Sequence, residues 1–390
     1  LSHLSAPSEL AQTLHYGEGF RGGQVNNHGH FEKFADFNEW LNGDDGEKIR
    51  DNFGLAKLTD PSKAFFAGDR EGYDQAFREY KKERRHEVLC EQFFADSFPA
   101  EGEDNHWFEL NQSRFEQLVD RLATKDTLPF VGAGLSVSGG FSSWEGHLWH
   151  QAKTAGLARE DVQALLDEGQ YENVIEQIVA LRGRDVFVQD IRDEFGRNRT
   201  IPDVVFRLAE LFSDTVVTTN YDRLIEQAFE TGNPEPVQII TGENATDFPD
   251  AEKTTVVKLH GDIRRPGHCV LSKDQYDAAY GADDIDLSLP IPKLLDYYFR
   301  NNSLLFLGCS LHNDRTIQVF KAIKAKHHGD DLPQHFVVEP CPESLEELRS
   351  RNAFLASLGL TGIWFGTKRY ECVEGILRLA RNELAYRDTQ

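Results

Sequence analysis

The sequence predicts an α/β protein built on a doubly wound parallel sheet with helices on both faces, preceded by a helical N-terminal extension. Three observations predict this. Short apolar runs bounded by turn residues recur from about residue 128: TLPFVGAG, DTVVTTNYD, TTVVKLHGD, SLLFLGCS, HFVVEP and TGIWFG. They lack the alternation of half-exposed strands, which is the pattern of parallel strands covered on both faces. Segments of helical period separate them, at Tyr171–Leu181, Val204–Phe212, Leu224–Phe229, Lys293–Phe299, Thr316–Ala325, Leu345–Leu358 and Glu371–Leu384. Strands that alternate with helices pack as an open sheet between helical layers. Ligands bind such a sheet at the carboxyl ends of its strands, near the point where strand order reverses, so the residues just after each strand carry the functional reading.

Ahead of the first strand the pattern differs. Phe31–Leu41 and Asp74–Phe94 are charged and helix-like, joined by stretches such as GEGFRGGQVNNHGH and NGDDGE. Residues 1–112 are expected to form an extension too polar for a core of its own, and residues 113–390 the sheet domain. The run REYKKERRH at 78–86 interleaves Glu79 and Glu83 with its cations, which fits a solvated helix face.

Composition narrows the function. The chain has 390 residues, 39% hydrophobic and 27% charged, enough to bury a core. Its net charge is −23, with −10 in the first 126 residues and −13 in the rest, so no basic domain is hidden. Direct nucleic-acid binding is not expected, because it depends on neutralising phosphates with cations. The five cysteines, at 90, 269, 309, 341 and 372, form no C-x-x-C pair, which disfavours both a disulfide scaffold and a zinc ribbon and points to a reducing, cytoplasmic setting. No apolar run reaches the roughly 18 residues of a membrane span, and LSHLSAPSELAQ lacks the apolar core of a leader, so a soluble protein is expected. Methionine is absent altogether.

Four strand ends carry chemistry. The first runs into Gly132-Ala133-Gly134-Leu135-Ser136, then Gly139-Gly140 and the helix-opening Ser142-Ser143-Trp144. Glycines there allow the backbone close to a pyrophosphate, yet G-x-G-x-x-G fails at Val137, and 143–182 reads as helix where a dehydrogenase needs a second strand. The second strand ends in Thr219-Asn220-Tyr221-Asp222, the third in His260-Gly261-Asp262 and the fourth in Gly308-Cys309-Ser310. Each alone fits an ordinary turn or cap. Their joint occurrence at successive strand ends is harder to assign to turns.

The set GAGLSVSGG, TTNYD, LHGD and GCSL resembles the Sir2 (sirtuin) superfamily over roughly residues 113–390. TTNYD and the Gly-Gly-Phe-Ser-Ser-Trp stretch look more like the bacterial Sir2-like NADases of antiphage defence than like protein deacylases. The interval from His260 to Gly308 holds one cysteine, Cys269, where deacylases carry two C-x-x-C pairs. The resemblance implies a Rossmann-like domain that takes NAD+ as substrate and needs no metal. It also implies roles. Asn220 would orient water or ribose, Asp222 would hold the nicotinamide carboxamide, and His260 would accept from a ribose hydroxyl or activate water, its ordinary pKa lying near ~6.5. Gly132, Ala133, Gly134 and Ser136 would cradle the pyrophosphate, with Thr219 among the NAD contacts. Gly308 and Ser310 would meet the adenosine half, and Glu339 its ribose. Trp144 suits core packing or a cover over the nicotinamide pocket. His28, His30 and the His327-His328 pair lack partner ligands at metal spacing.

The expected activity is NAD+ glycohydrolysis to nicotinamide and ADP-ribose, as an antiphage effector that depletes NAD+. A deacylase is the alternative that the absent cysteine pairs oppose. A non-catalytic NAD or ADP-ribose-binding assembly subunit is the one that Asn220 and His260 oppose. An enzyme that destroys NAD+ needs restraint, so a homo-oligomer is expected, and the resemblance implies a HerA-type ATPase as partner.

Overall fold

The computed structural model describes residues 31–92, 106–231, 236–245, 249, 253–311, 315–328 and 331–387. The chain divides into two compact units, residues 1–91 with 382–390, and residues 92–381. The expected division at 112/113 falls inside a helix of the second unit, α5 (His106–Ala123).

In the first unit, α1 (Ala35–Asn42), α2 (Glu47–Asn52), α3 (Pro61–Gly68) and α4 (Arg70–Gln92) follow one another. Asp60 caps α3 by accepting from the Lys63 amide, and Pro61 opens it, where a missing N–H costs nothing. The expectation that this segment has no core is overturned. Phe34, Phe37, Leu41, Ile49, Leu55, Phe65, Phe66, Tyr73, Ala76, Phe77 and Tyr80 form a buried cluster. Its rings meet edge to face, for example Phe34–Phe77 at 4.8 Å and Phe66–Tyr73 at 5.0 Å. Aromatic side chains bury a large area each, so a few of them make a core in a chain that is polar on average.

The second unit is a seven-stranded parallel sheet in the order β3-β4-β2-β1-β5-β6-β7. Its strands are β1 (Thr127–Val131), β2 (Thr215–Thr218), β3 (Gln238–Thr241), β4 (Thr255–Lys258), β5 (Ser303–Leu307), β6 (His335–Pro340) and β7 (Leu360–Phe365). Six of them are the expected apolar runs, and β3 is an additional edge strand. Every residue of β1, β2, β4 and β5 is buried. From β1 the chain builds outward through β2 to β3 and β4, then returns to the other side of β1 with β5, β6 and β7. The sheet is therefore doubly wound, and its strand order reverses between β1 and β5. At the β7 edge, Asn111 of α5 donates to the Trp364 carbonyl and accepts from the Trp364 amide, both at 2.8 Å, as a neighbouring strand would.

The helices between β1 and β2 are α6 (Gly134–Val137), α7 (Trp144–Thr154), α8 (Arg159–Asp167), α9 (Tyr171–Arg182), α10 (Arg184–Phe195) and α11 (Asp203–Leu211). Ser143 caps α7 by accepting from the Gly146 amide. After β2 comes α12 (Leu224–Glu230), and between β4 and β5 lie α13 (Lys273–Tyr280) and α14 (Pro290–Asn301). The remaining helices, α15 (Arg315–Lys326), α16 (Leu345–Ser357) and α17 (Cys372–Arg387), follow β5, β6 and β7. No described helix is long and apolar enough to cross a membrane.

Candidate functional site

The loops after β1 and β5 meet at the point where strand order reverses. The Gly132 amide donates to the Leu307 carbonyl and the Gly134 amide to the Gly308 carbonyl, both at 2.9 Å. A Cβ on Gly132 would lie 2.5 Å from the Gly308 oxygen, and one on Gly134 2.9 Å from the Gly308 Cα and oxygen. Gly308 itself has φ +65°, and a Cβ there would reach Leu135 Cδ1 at 2.5 Å. These glycines are thus required by the contact between two loops, a demand distinct from the approach of a pyrophosphate. Ala133 is half-buried beside them, and α6, which follows, is a single turn.

That turn places Ser136 against the end of β2. The Ser136 hydroxyl donates to Asp222 Oδ2 at 2.8 Å and accepts from Asn220 Nδ2 at 3.1 Å. Asn220 Nδ2 also reaches the Gly132 carbonyl at 3.1 Å. Thr218 holds the approach, since its hydroxyl donates to the Val131 carbonyl and accepts from the Asn220 amide. Asp222 Oδ1 accepts from the Leu224 amide at 3.0 Å and so starts α12. Ser136, Asn220 and Asp222 are all buried, while Thr219 is half-buried. Asn220 Oδ1 is buried and has no hydrogen-bond partner among the described residues. A buried acceptor left unpaired costs about 1–3 kcal/mol, so its place beside a polar cluster calls for a donor from outside the chain.

The end of β4 adds His260. Its Nε2 lies 2.8 Å from Tyr280 Oη, and its ring faces Tyr221, Tyr276 and Tyr280 at centroid distances of 6.3, 5.3 and 6.0 Å. The expectation of an ordinary imidazole is corrected, because burial pushes its pKa down to about 4 and it is neutral at pH 7. Gly261 turns the chain with φ +94°, where a Cβ would meet the His268 oxygen at 2.9 Å. Tyr221 Oη donates to the Val270 carbonyl at 2.8 Å, which ties the loop after His260 to the Asn220 segment. Trp144 is half-buried, 5.4 Å from Tyr221 and stacked on His147, so it packs behind this segment.

Two residues here carry no motif. Lys258, the last residue of β4, and Glu226 of α12 are fully buried and paired at 2.9 Å. Lys258 Nζ also donates to the carbonyls of Tyr221 and Asp222, so one ammonium fixes the backbone that presents Asn220 and Asp222. The signal in the sequence was a lysine closing an apolar run, TTVVK, two residues before His260. Beyond it, burial opposes the Asp262 charge, but hydrogen bonds from Arg264 and the field of Lys258 hold that carboxyl below its usual range.

Ser310 and Glu339 are brought together elsewhere on the edge. Arg351 of α16 grips both Glu339 oxygens at 2.6 and 2.9 Å and donates to the Ser310 and Leu311 carbonyls at 3.0 and 3.1 Å. Ser310 is exposed and Glu339 buried. Among the described residues no group of three or more His, Cys, Asp and Glu side chains is placed to hold a metal. His327 pairs with Asp296 at 2.8 Å, while His28 and His30 lie outside the described residues.

The chain matches known proteins over this same region. Residues 214–363 match the model of the SIR2-like domain, a span that takes in Asn220, Asp222, His260, Gly308 and Glu339 but starts after the β1 loop. NAD(+) hydrolase ThsA of Bacillus cereus (strain MSX-D12) is 30% identical over 237 residues, 59% of this chain and 48% of that protein. NAD(+) hydrolase ThsA of Cytobacillus dafuensis is 36% identical over 149 residues, 38% and 29% of the two chains. That of Enterococcus faecium is 32% identical over 230 residues, 58% and 45%. The matched regions thus span less than half the length of these relatives. Residues 214–363 are thus similar to a SIR2-like domain.

Proposed function

We propose that this SIR2-like domain hydrolyses the bond between nicotinamide and ribose in NAD+, releasing nicotinamide and ADP-ribose. The observation that carries the reading is the buried, unpaired Asn220 Oδ1 beside Ser136 and Asp222, at the carboxyl edge of a doubly wound sheet. The names of the relatives support the same chemistry.

Loss of nicotinamide leaves positive charge on the ribose, as in glycoside hydrolysis, and water then bonds to the anomeric carbon and sheds a proton. Asn220 Oδ1 would accept from that water or from a ribose hydroxyl and so fix its direction of attack. Asp222, held by Ser136 and the Leu224 amide, would present its carboxylate to the nicotinamide carboxamide. With Tyr280 Oη accepting from Nε2–H, the His260 Nδ1 lone pair would accept from a ribose hydroxyl. A neutral, weakly basic imidazole is sufficient for that, since the transition state is reached by loss of the leaving group more than by attack of a strong nucleophile. Gly132, Ala133, Gly134 and Thr219 would line the pyrophosphate, with Gly308, Ser310 and Glu339 toward the adenosine.

In the cell this activity would serve antiphage defence through NAD+ depletion. It would be restrained by homo-oligomer assembly or by an ATPase partner of the HerA type, with residues 1–112 as the contact segment. To test the catalytic reading, the full-length protein is incubated with NAD+ and free nicotinamide is measured with and without an acylated peptide. Release that is independent of the peptide is the expected result. Release only with the peptide would assign a deacylase instead.

A further inference from the structure

An arginine-lined cavity lies beside the segment that carries Asp222, in a chain of net charge −23. A cavity of about 220 Å³ is lined by four arginines, Arg192, Arg197, Arg223 and Arg264, and by no carboxylate. Phe141 and Phe195 give it an apolar wall. Two of the four cations are already balanced, Arg264 by Asp262 at 2.5 Å and Arg223 loosely by Glu230 at 3.7 Å. Arg192 and Arg197 are exposed at the end of α10 and just beyond it, and Arg197 acts on Glu194 only through its field. Arg223 also keeps a buried Nε with no hydrogen-bond partner among the described residues. Convergent guanidinium groups hold phosphate oxygens through paired N–H donors, and the cavity is smaller than a typical site for a whole drug-sized ligand.

We propose that this pocket binds a phosphate-bearing small anion, at a place separate from the NAD+ site, and that the anion sets the activity of that site. None of its lining residues is a candidate catalytic or NAD-binding residue. Yet three of the segments that form it follow such residues: Phe141 follows the β1 glycines, Arg223 and Leu224 follow Asp222, and Ile263 and Arg264 follow His260. An anion drawn between Arg192, Arg197 and Arg223 would pull on the backbone just after Asp222. The binding claim stands by itself, whereas the control of activity rests on the NAD+ hydrolase reading.

Inorganic pyrophosphate and ADP are titrated into the full-length protein at constant ionic strength, with calorimetry as the readout, and into the Arg192→Ala/Arg197→Ala variant. Saturable pyrophosphate binding that weakens at least tenfold in the variant is expected, while the KM for NAD+ changes less than twofold. Of the binding that the Arg192→Ala/Arg197→Ala variant loses, a tighter ADP than pyrophosphate component would assign a nucleotide as the source of the phosphate, and an equal one a free phosphate anion. No saturable binding of either, or binding untouched by the substitutions, overturns the pocket. A KM for NAD+ that rises in step with the lost pyrophosphate affinity overturns its separateness. Nicotinamide release that pyrophosphate leaves unchanged, in wild-type protein that does bind it, overturns the control of activity. A protein that binds pyrophosphate but releases no nicotinamide keeps the pocket and rejects the hydrolase reading.

Discussion

At the ends of β1, β2 and β4 the side chains close on one another. Ser136, Asn220 and Asp222 share hydrogen bonds, His260 is enclosed by tyrosines, and a buried lysine holds the intervening carbonyls. At the ends of β5 and β6 the contacts are sparser among the described residues: Ser310 is exposed, and Arg351 from α16 ties the loop to Glu339. Under the proposed function the difference separates two tasks. Chemistry at a glycosidic bond needs groups fixed in a dry, preorganised place, whereas holding the far half of a dinucleotide needs a surface of the right shape. Substitutions at the first region should therefore remove turnover, and those at the second should weaken binding.

The largest effect is expected at Lys258. Lys258→Met leaves Glu226 buried without its partner, a loss on the order of 3–5 kcal/mol. The melting temperature should fall steeply, and Lys258→Met/Glu226→Leu should recover part of it. Turnover should stay low in both variants, because neither restores the donor to the Tyr221 and Asp222 carbonyls. Recovery of turnover in the double variant would show that the ammonium does not position the site.

Gly308→Ala acts where the two regions touch. With φ +65° and Leu135 in the way of a Cβ, the strain is on the order of 2 kcal/mol. Thermal melts and steady-state kinetics should show lower stability together with changes in both kcat and KM. A change in KM alone would mean that the β1 loop does not depend on the β5 loop.

Arg351→Ala should have a smaller and cleaner effect. It frees the Ser310–Leu311 carbonyls and removes the Arg351 contacts of Glu339, so the KM for NAD+ should rise about 3- to 10-fold, roughly 1 kcal/mol, with kcat nearly kept. A kcat loss larger than the KM change would break the division between the regions.

Acid should reveal the buried histidines. Burial pushes His147 and His260 down to about 4 and His335 to about 3. Their folded pKa values lie below the unfolded value of about 6.5, so the unfolded chain binds more protons between these limits and stability falls as pH drops through that window. Above about pH 6.5 these groups are neutral in both states and contribute no pH dependence. Melting temperature measured from pH 7.5 to 5 should stay level and then decline below about 6.5. His260→Gln should flatten the decline by about one proton's share.

The sheet was legible because its strands are local apolar runs, and six of them appear as continuous segments. β3 was not, since Gln238–Thr241 is short and only Ile240 in it is buried. Ser136, Asn220, Asp222 and His260 were singled out because each lies within a few residues of a strand end, where the topology of such a sheet brings loops together. What they touch was not readable. The Lys258–Glu226 pair spans 32 residues and Glu339–Arg351 joins a strand to a later helix, so both arise only from packing. The first unit hid its core for a similar reason. Phe34, Phe65 and Tyr80 lie far apart among charged neighbours, and average polarity masks a cluster of rings that assembles only when four helices meet.

The most direct test compares nicotinamide released from NAD+ by the wild-type chain and by Asn220→Ala, with circular dichroism and thermal melts confirming that both are folded. The Asn220 side chain donates to Ser136 and the Gly132 carbonyl, while its Oδ1, without a partner among the described residues, is the atom that the proposed function gives to the substrate. The predicted result is release by the wild type and a loss of at least 100-fold, close to 3 kcal/mol in the barrier, in a variant that melts within a few degrees of it. Near wild-type release from a folded Asn220→Ala chain would contradict the account.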